Sequence, residues 1–303
     1  MDNQKRIPTD YRSLLSLTSL TAAEFFQLLL PFDALWQRYH AHHDLKGERR
    51  RIQKFSEHGL MSLKGSVDKL FFVLVYLKQN SLQAYHGFCF EMSQGKVSQW
   101  LRVLLPILEQ ALHRLQLLPS REPSHLYLSL RLLAGQVLLM DATERAIPRS
   151  VDKERQRHEY SGKQQEHTLK NLLVSQEQNR ILYLSATVPG SMHDKALADE
   201  MELAFLPEQC LLLDLGFIGY EPEGAQTLLP VKKPYQGELS ATDKLYNRLL
   251  ASVRVKVEHV MAGVKRIRIV KEKIRLHGEQ IRDLVMLMAC GLHNLRVAHR
   301  NLP

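Results

Sequence analysis

Apolar residues recur at helical spacing from about Asp10 to His43, which predicts a helical N-terminus. Within it Thr21 precedes Glu24 by three residues, the form of a capping box, and Pro31 is expected to end or kink the helix that follows. Residues 46–56, KGERRRIQKFS, show no apolar period. They read as a basic loop, open to contact with phosphates. Three apolar segments come next: LFFVLVYLKQN behind Ser66 and Asp68, the short SLQAYHGFCFEM, and the long QGKVSQWLRVLLPILEQALHRLQLL behind Ser93. They predict a helix, a short helix and a long helix, with Ser81 and Ser93 as N-caps.

The long helix is fronted by polar residues, Gln94, Lys96, Ser98, Gln99 and Arg102, directly after a short one. That order fits a helix-turn-helix over about 66–115, and it fits an ordinary three-helix bundle as well. Beyond Pro119 and Pro123 the pattern becomes alternating, and a domain boundary is expected near residue 120. QVLLMDATERAI predicts a strand with Asp141 near its end, QEHTLKNLLVS and NRILYLSATV a hairpin, QCLLLDLGF a buried strand ending at Asp214, and QTLLPVKK a further strand. Two long helices follow, ATDKLYNRLLASVRVKVEHVMAGVKRIRI and HGEQIRDLVMLMACGLHNLRVAHR. The expected organisation is an all-α region over 1–120 and an α/β domain over 121–303 with a mixed sheet and flanking helices.

Composition narrows the function classes. Lys and Arg outnumber Asp and Glu by 41 to 32, a net charge of +9 that favours polyanionic partners. The three cysteines stand far apart in apolar sequence, without metal-ligand spacing, and read as reduced core residues. No run of eighteen apolar residues and no signal-like N-terminus occurs, so no membrane partner and a cytoplasmic location are expected. Neither phosphate-loop signature, G-x-x-x-x-G-K-[ST] nor G-x-G-x-x-G, is present, which leaves an ATPase without support.

The candidate chemistry lies in carboxylates. Two apolar strands each run into an aspartate, Asp141 after Val137–Met140 and Asp214 after Leu211–Leu213. Either alone suits a turn or helix cap. Together, on neighbouring strands, they would place two hard oxygen ligands at one sheet edge. If Leu245, Leu249, Val253, Val257, Val260 and Val264 form the buried stripe of their helix, Glu258 sits at its margin, able to reach that edge. Arg254 and Lys265 share its side and are open to two readings, ion pairs on a solvated face or contacts to phosphate. Three carboxylates without cysteine ligands suit Mg2+ or Mn2+ rather than zinc. Two such ions about 3.5–4 Å apart support phosphodiester cleavage and strand transfer.

The segments LLMDATERAI, EYSGKQQEHTLKN, VPGSMHDK, LLLDLGFIGY, LLPVKK and NRLLASVRVKVEHVMAGVKRIRI, in that order, resemble the DDE transposases of bacterial insertion sequences, the IS-five group and its Harbinger-like relatives. The resemblance covers nearly all of residues 136–270, and the helix-turn-helix agrees with it. It implies a ribonuclease H-like catalytic domain with Asp141, Asp214 and Glu258 as the acidic triad holding two Mg2+ or Mn2+ ions. The implied partners are double-stranded DNA, both transposon terminal inverted repeats and target, and further copies of the chain as a dimer or larger assembly on DNA. Lys96, Gln99 and Arg102 are the candidate DNA contacts in the helix-turn-helix. Lys163, His167 and Lys170 fall in the family's basic hairpin, where a solvated strand face is the other reading. His193-Asp194 matches a recurring dipeptide and is expected to cap or fix a loop, Gly216 and Gly219 are expected to turn the backbone, and Glu144 and Asp152 are expected to pair with Arg145, Arg149 and Lys153. Two other functions stay open here, a non-catalytic DNA-binding derivative and a ribonuclease H-like nuclease of different substrate.

Overall fold

A computed structural model describes residues 7–8, 10–56, 62–133 and 135–300. The chain divides into two compact units. The first comprises residues 1–118, 266–272 and 284–302, and the second 119–265 and 273–283. The expected assignment of everything after residue 120 to one domain therefore differs at the C-terminus, where two segments return to the helical unit.

In the helical unit the predicted helical N-terminus consists of α1 (Tyr11–Thr18) and α2 (Ala22–His42), separated at Ser19, whose φ of 67° is left-handed. Both bonds of the Thr21–Glu24 capping box form. Of the two outcomes expected at Pro31, an end or a kink, the first does not occur, since Pro31 lies inside α2. Phe25, Leu28, Phe32, Leu35 and Trp36 bury the same face on both sides of the proline, so core packing holds the helix through the missing hydrogen bond. Then come α3 (Gly65–Gln79), α4 (Gln83–Cys89) and α5 (Gln94–Arg114). Ser93 caps α5 through its bond from the Lys96 N–H. Ser81 does not cap α4: Leu82 holds that position without a side-chain bond, and the Ser81 hydroxyl lies against His86 Nδ1 at 3.4 Å. Two C-terminal helices join this unit, α10 (Arg268–Lys271) and most of α11 (Glu279–Arg300).

The second unit opens with α6 (Pro123–Leu130) and the long strand β1 (Val137–Ala146), followed by α7 (Lys153–Glu159), β2 (Tyr160–Ser161), β3 (Glu166–Gln176), β4 (Ile181–Leu184) and β5 (Val188–Pro189). After these come α8 (Asp194–Glu200), β6 (Cys210–Leu212), β7 (Gln226–Leu228) and the 25-residue α9 (Ala241–Lys265). The sheet order is β2-β3-β1-β6-β7, with β4 and β5 also paired to β3. β1 runs antiparallel to β3 and parallel to β6, and β6 is parallel to β7, so the sheet is mixed.

Alternation along β1 and β6 divides the core. Leu138, Met140, Leu211 and Leu213 face one side, packed with Leu126 and Leu130 of α6 and Leu197 of α8. Leu139 and Leu212 face the other, covered by Tyr246, Leu250, Val253 and Val257 of α9. The stripe on α9 thus begins at Tyr246 and Leu250; Leu245 and Leu249, expected in it, are exposed. QTLLPVKK is strand only over Gln226–Leu228, and the loop beyond is tied to α9 by Asn247, which accepts from the Val231 N–H and donates to the Val231 carbonyl. All three cysteines are free, and Cys89 is exposed rather than buried.

Candidate active site

Strand register brings the two aspartates together. Leu139 pairs with Leu212 across the parallel β1 and β6. Two residues further along the chain stand Asp141, still within β1, and Asp214, just beyond the end of β6. The shift of two returns both to the face of Leu139 and Leu212, the one under α9, with neighbouring strands roughly 4.8 Å apart. Asp141 is not near the end of its strand, as expected. β1 continues to Ala146 because β3 pairs with it throughout, whereas β6 stops at Leu212. Asp141 therefore lies where β6 has ended and the sheet face opens.

Asp214 follows β6 as N-cap of a 3-10 turn at Leu215–Phe217, accepting from the Gly216 N–H at 2.7 Å. Gly216 does more than turn the backbone. A Cβ there would stand 2.7 Å from Asp194 Oδ2 and 2.9 Å from Asp214 Oδ1, so any larger residue would push into the space between two carboxylates. Gly219, at a φ of +82°, is the residue whose conformation requires glycine.

Burial is the largest influence on Asp141 and the charge of Asp214 the next; together they push its carboxyl up to about 6. Asp194 pushes the same way, and the hydrogen bond from the Ala142 N–H and the charge of Arg254 oppose them. Arg254, on α9, brings its guanidinium within 3.9 Å of Asp214. Glu258 lies one turn beyond Arg254, beside the buried Val257, and is exposed. Among the described residues no group of three His, Cys, Asp or Glu side chains is close enough to hold a metal ion together.

The His193-Asp194 dipeptide was expected to cap a helix or fix a loop, and Asp194 does more. Its Oδ1 accepts from Lys170 Nζ at 2.8 Å, and the same amine donates to the Met192 carbonyl and lies 3.5 Å from Glu144. His193 holds the N-cap position of α8 without a side-chain cap bond. Lys170 is thus buried inside the fold, paired with carboxylates, and not on the surface of a basic hairpin. Register explains this, because Glu144 and Lys170 are direct cross-strand partners. Glu144 pairs with Lys170 and Thr168 rather than with neighbouring arginines, and Asp152 caps α7.

Lys163 is exposed in the turn between β2 and β3, and His167 packs edge-on against Tyr160 at 5.6 Å. Lys265 is half-buried at the end of α9. In the helical unit, Lys96 and Gln99 touch at 3.4 Å and Arg102 is exposed. Arg145, expected to pair with Glu144 or Asp152, is instead fully buried and donates to Asn171, Thr187 and the Arg282 carbonyl. Its signal was parity: Asp141, Thr143 and Arg145 share one face of β1.

Residues 140–294, just over half of the 303-residue chain, match the model of the DDE superfamily endonuclease. The chain belongs to this family. Residues 62–114 match the helix-turn-helix of DDE superfamily endonucleases, a span that contains α3, α4 and α5. The chain is also similar to a protein of Microchaete diplosiphon named probable transposase for insertion sequence element IS702, with 30% identity over 162 residues. That match covers 54% of this chain and 58% of the relative, so the chain spans a little over half of that protein's length. No solved structure matches significantly. None of these matches distinguishes the IS-five group from Harbinger-like relatives.

Membership of the DDE superfamily implies divalent-metal dependence, and the donor set fits. Asp141 and Asp214 are hard oxygen ligands on one face, burial and then the charge of Asp214 raise the pKa of Asp141, and Gly216 keeps the adjoining space open. Mg2+ is commonly held by one or two carboxylates, with waters and substrate phosphate completing its shell.

Proposed function

We propose that the protein is a DDE transposase that cleaves DNA at transposon ends and transfers the strand into target DNA. The observation that carries this reading is the register of β1 and β6, which sets Asp141 and Asp214 side by side on the face covered by α9. Asp141, Asp214 and Glu258 are the proposed catalytic and metal-holding residues. Glu258 is supported by its position one turn after Arg254, whose side chain already reaches Asp214, and by its neighbour Val257, packed on the sheet face of both aspartates.

Two Mg2+ or Mn2+ ions would supply activation of a water or 3′-hydroxyl and stabilisation of the leaving oxygen. The chain's own residues do the rest. Asp141 and Asp214 orient the centre, and Arg254 offers a guanidinium fork to the phosphate being cut. With Lys163, His167 and Lys265 it forms the proposed contact to substrate backbone. Lys170, held by Asp194 and Glu144, fixes the floor of the site instead of touching DNA. Lys96, Gln99 and Arg102 of α5 are proposed to engage the terminal repeats.

Purified protein with Mg2+ or Mn2+ is expected to nick and join a duplex carrying the terminal repeats that flank its gene. Asp141→Ala and Asp214→Ala should each lose at least a hundredfold, roughly the loss when a centrally placed charge-stabilising group is removed. A wild type as inactive as Asp141→Ala would overturn the assignment. Because two ends must be held together, a dimer or larger assembly on end DNA is also proposed, and light scattering that found only one chain per end would count against it.

A further inference from the structure

We propose that α2 and the loop after it form a clamp for DNA backbone phosphates that works beside α5 and lies outside the matched helix-turn-helix. This rests on the reading of the helical unit as a DNA binder and adds a site to it. A cavity of about 610 Å3 lies between α2 and α5, lined by Arg38, His42 and His43 from α2 and its end, Arg49 from the loop, and Arg102 and Gln110 from α5. No described residue lining it carries a carboxylate. Arg38, Arg49 and Arg102 are exposed, so three guanidinium groups converge on one concavity without an internal anion to neutralise them.

The loop is built to hold Arg49 in place. His43 and Arg49 form an antiparallel bridge, the Asp44 N–H donates to the Glu48 carbonyl and the Arg50 N–H to the His42 carbonyl. Asp44 Oδ1 accepts from the Lys46 and Glu48 N–H groups. Arg50 Nε donates to the carbonyls of His40 and His43, which fastens the turn to the end of α2. His43 stacks on Tyr39 at 5.1 Å, and its Nδ1 is buried without a hydrogen-bond partner.

Position identifies the ligand as backbone rather than base. Gln99, Arg102, Pro106 and Gln110 follow one another at intervals of three and four residues along one face of α5. The cavity therefore continues the face that carries Gln99. At 1.5 Å per residue, Arg102 and Gln110 lie roughly 9 and 21 Å beyond Lys96 along the axis. That reach is comparable with the roughly 12 Å width of the major groove. With the first turn of α5 at the base edges, the cavity is at the height of a flanking phosphate.

The test is anisotropy titration of the full chain with duplexes carrying and lacking the terminal repeat, over a range of salt. Arg38→Gln, Arg49→Gln and the double variant should weaken binding to both duplexes equally, on the order of tenfold per arginine near 0.1 M salt. The slope of log affinity against log salt should fall by about one per arginine. Neutral methylphosphonate linkages at one flanking position should weaken the wild type in the same way and leave the double variant unaffected. Thermal melting checks that the variants remain folded; should the double variant melt early, the methylphosphonate result on wild type decides alone. Unchanged affinity and slope, or a loss confined to the repeat sequence, overturns the clamp while leaving DNA binding intact. A wild type that binds no duplex overturns both.

Discussion

Asp141 carries a charge that the fold makes costly and a cation would relieve. Its carboxyl is raised from 3.8 to about 6 by burial and by Asp214. The folded state therefore binds more protons than the unfolded one between those pH values, and stability declines as pH rises through that window. Asp141→Asn removes the charge and keeps an oxygen for the Ala142 N–H. In chelator it is expected to be more stable than wild type by about 3 kcal/mol at pH 8, with little gain at pH 3. Urea unfolding at the two pH values checks this, and a gain independent of pH would refute it. Lys170 presents the opposite case, a cation buried between Glu144 and Asp194. Lys170→Met leaves two largely buried carboxylates without their partner and should cost about 3–5 kcal/mol. A variant as stable as wild type in urea would show that the pair contributes nothing.

Among the elements, the turn between α4 and α5 is tightly constrained. The Met92 N–H closes it onto the Gly87 carbonyl, Glu91 adopts a φ of 53°, and a Cβ on Gly87 would stand 2.5 Å from the Met92 carbonyl oxygen. Gly87→Ala should destabilise by about 1–3 kcal/mol, whereas Gly95→Ala, with open space around it in α5, should be neutral or mildly stabilising. Calorimetry on the pair checks the contrast; equal melting temperatures would remove the turn's special status. Beside that turn His86 is enclosed by Phe72, Tyr76 and Phe90, and burial pushes its pKa from 6.5 down to about 4. The unfolded chain binds the extra proton between those values, so stability is complete above pH 6.5 and falls by about 3 kcal/mol towards pH 4. His86→Gln should flatten this slope in acid titrations monitored by circular dichroism. These elements were largely legible in the sequence, because apolar period and caps such as Thr21 and Ser93 are local signals. Asp141 and Asp214 were legible for the same reason, each ending a visible apolar run. The role of Asp194 was not, since its partner Lys170 is 24 residues away and meets it only through the packing of α8 against β3. The burial of Lys170 was hidden likewise: a cross-strand carboxylate decides it, and strand register is not written in any one segment.

For the whole molecule, the course of the chain matters as much as its elements. The helical unit takes residues 266–272 and 284–302 from the far end of the sequence. From there Met286, Met288, Leu292 and Leu295 are buried, and Asn294 donates to the Leu117 carbonyl. A Cβ on Gly291 would stand 2.7 Å from Leu118. A fragment of residues 1–118 thus lacks a wall of its own core and should fail to melt cooperatively, while the same fragment linked to residues 266–300 with a designed spacer should recover helicity. Cooperative melting of the short fragment would contradict this. Because the sequence leaves the helical unit at residue 118 and comes back to it after the sheet is complete, the unit that holds the helix-turn-helix is not a detachable cassette. A lineage that acquired a new helical unit by recombination would have to exchange both stretches in one event, which ties the fate of these helices to that of the sheet between them.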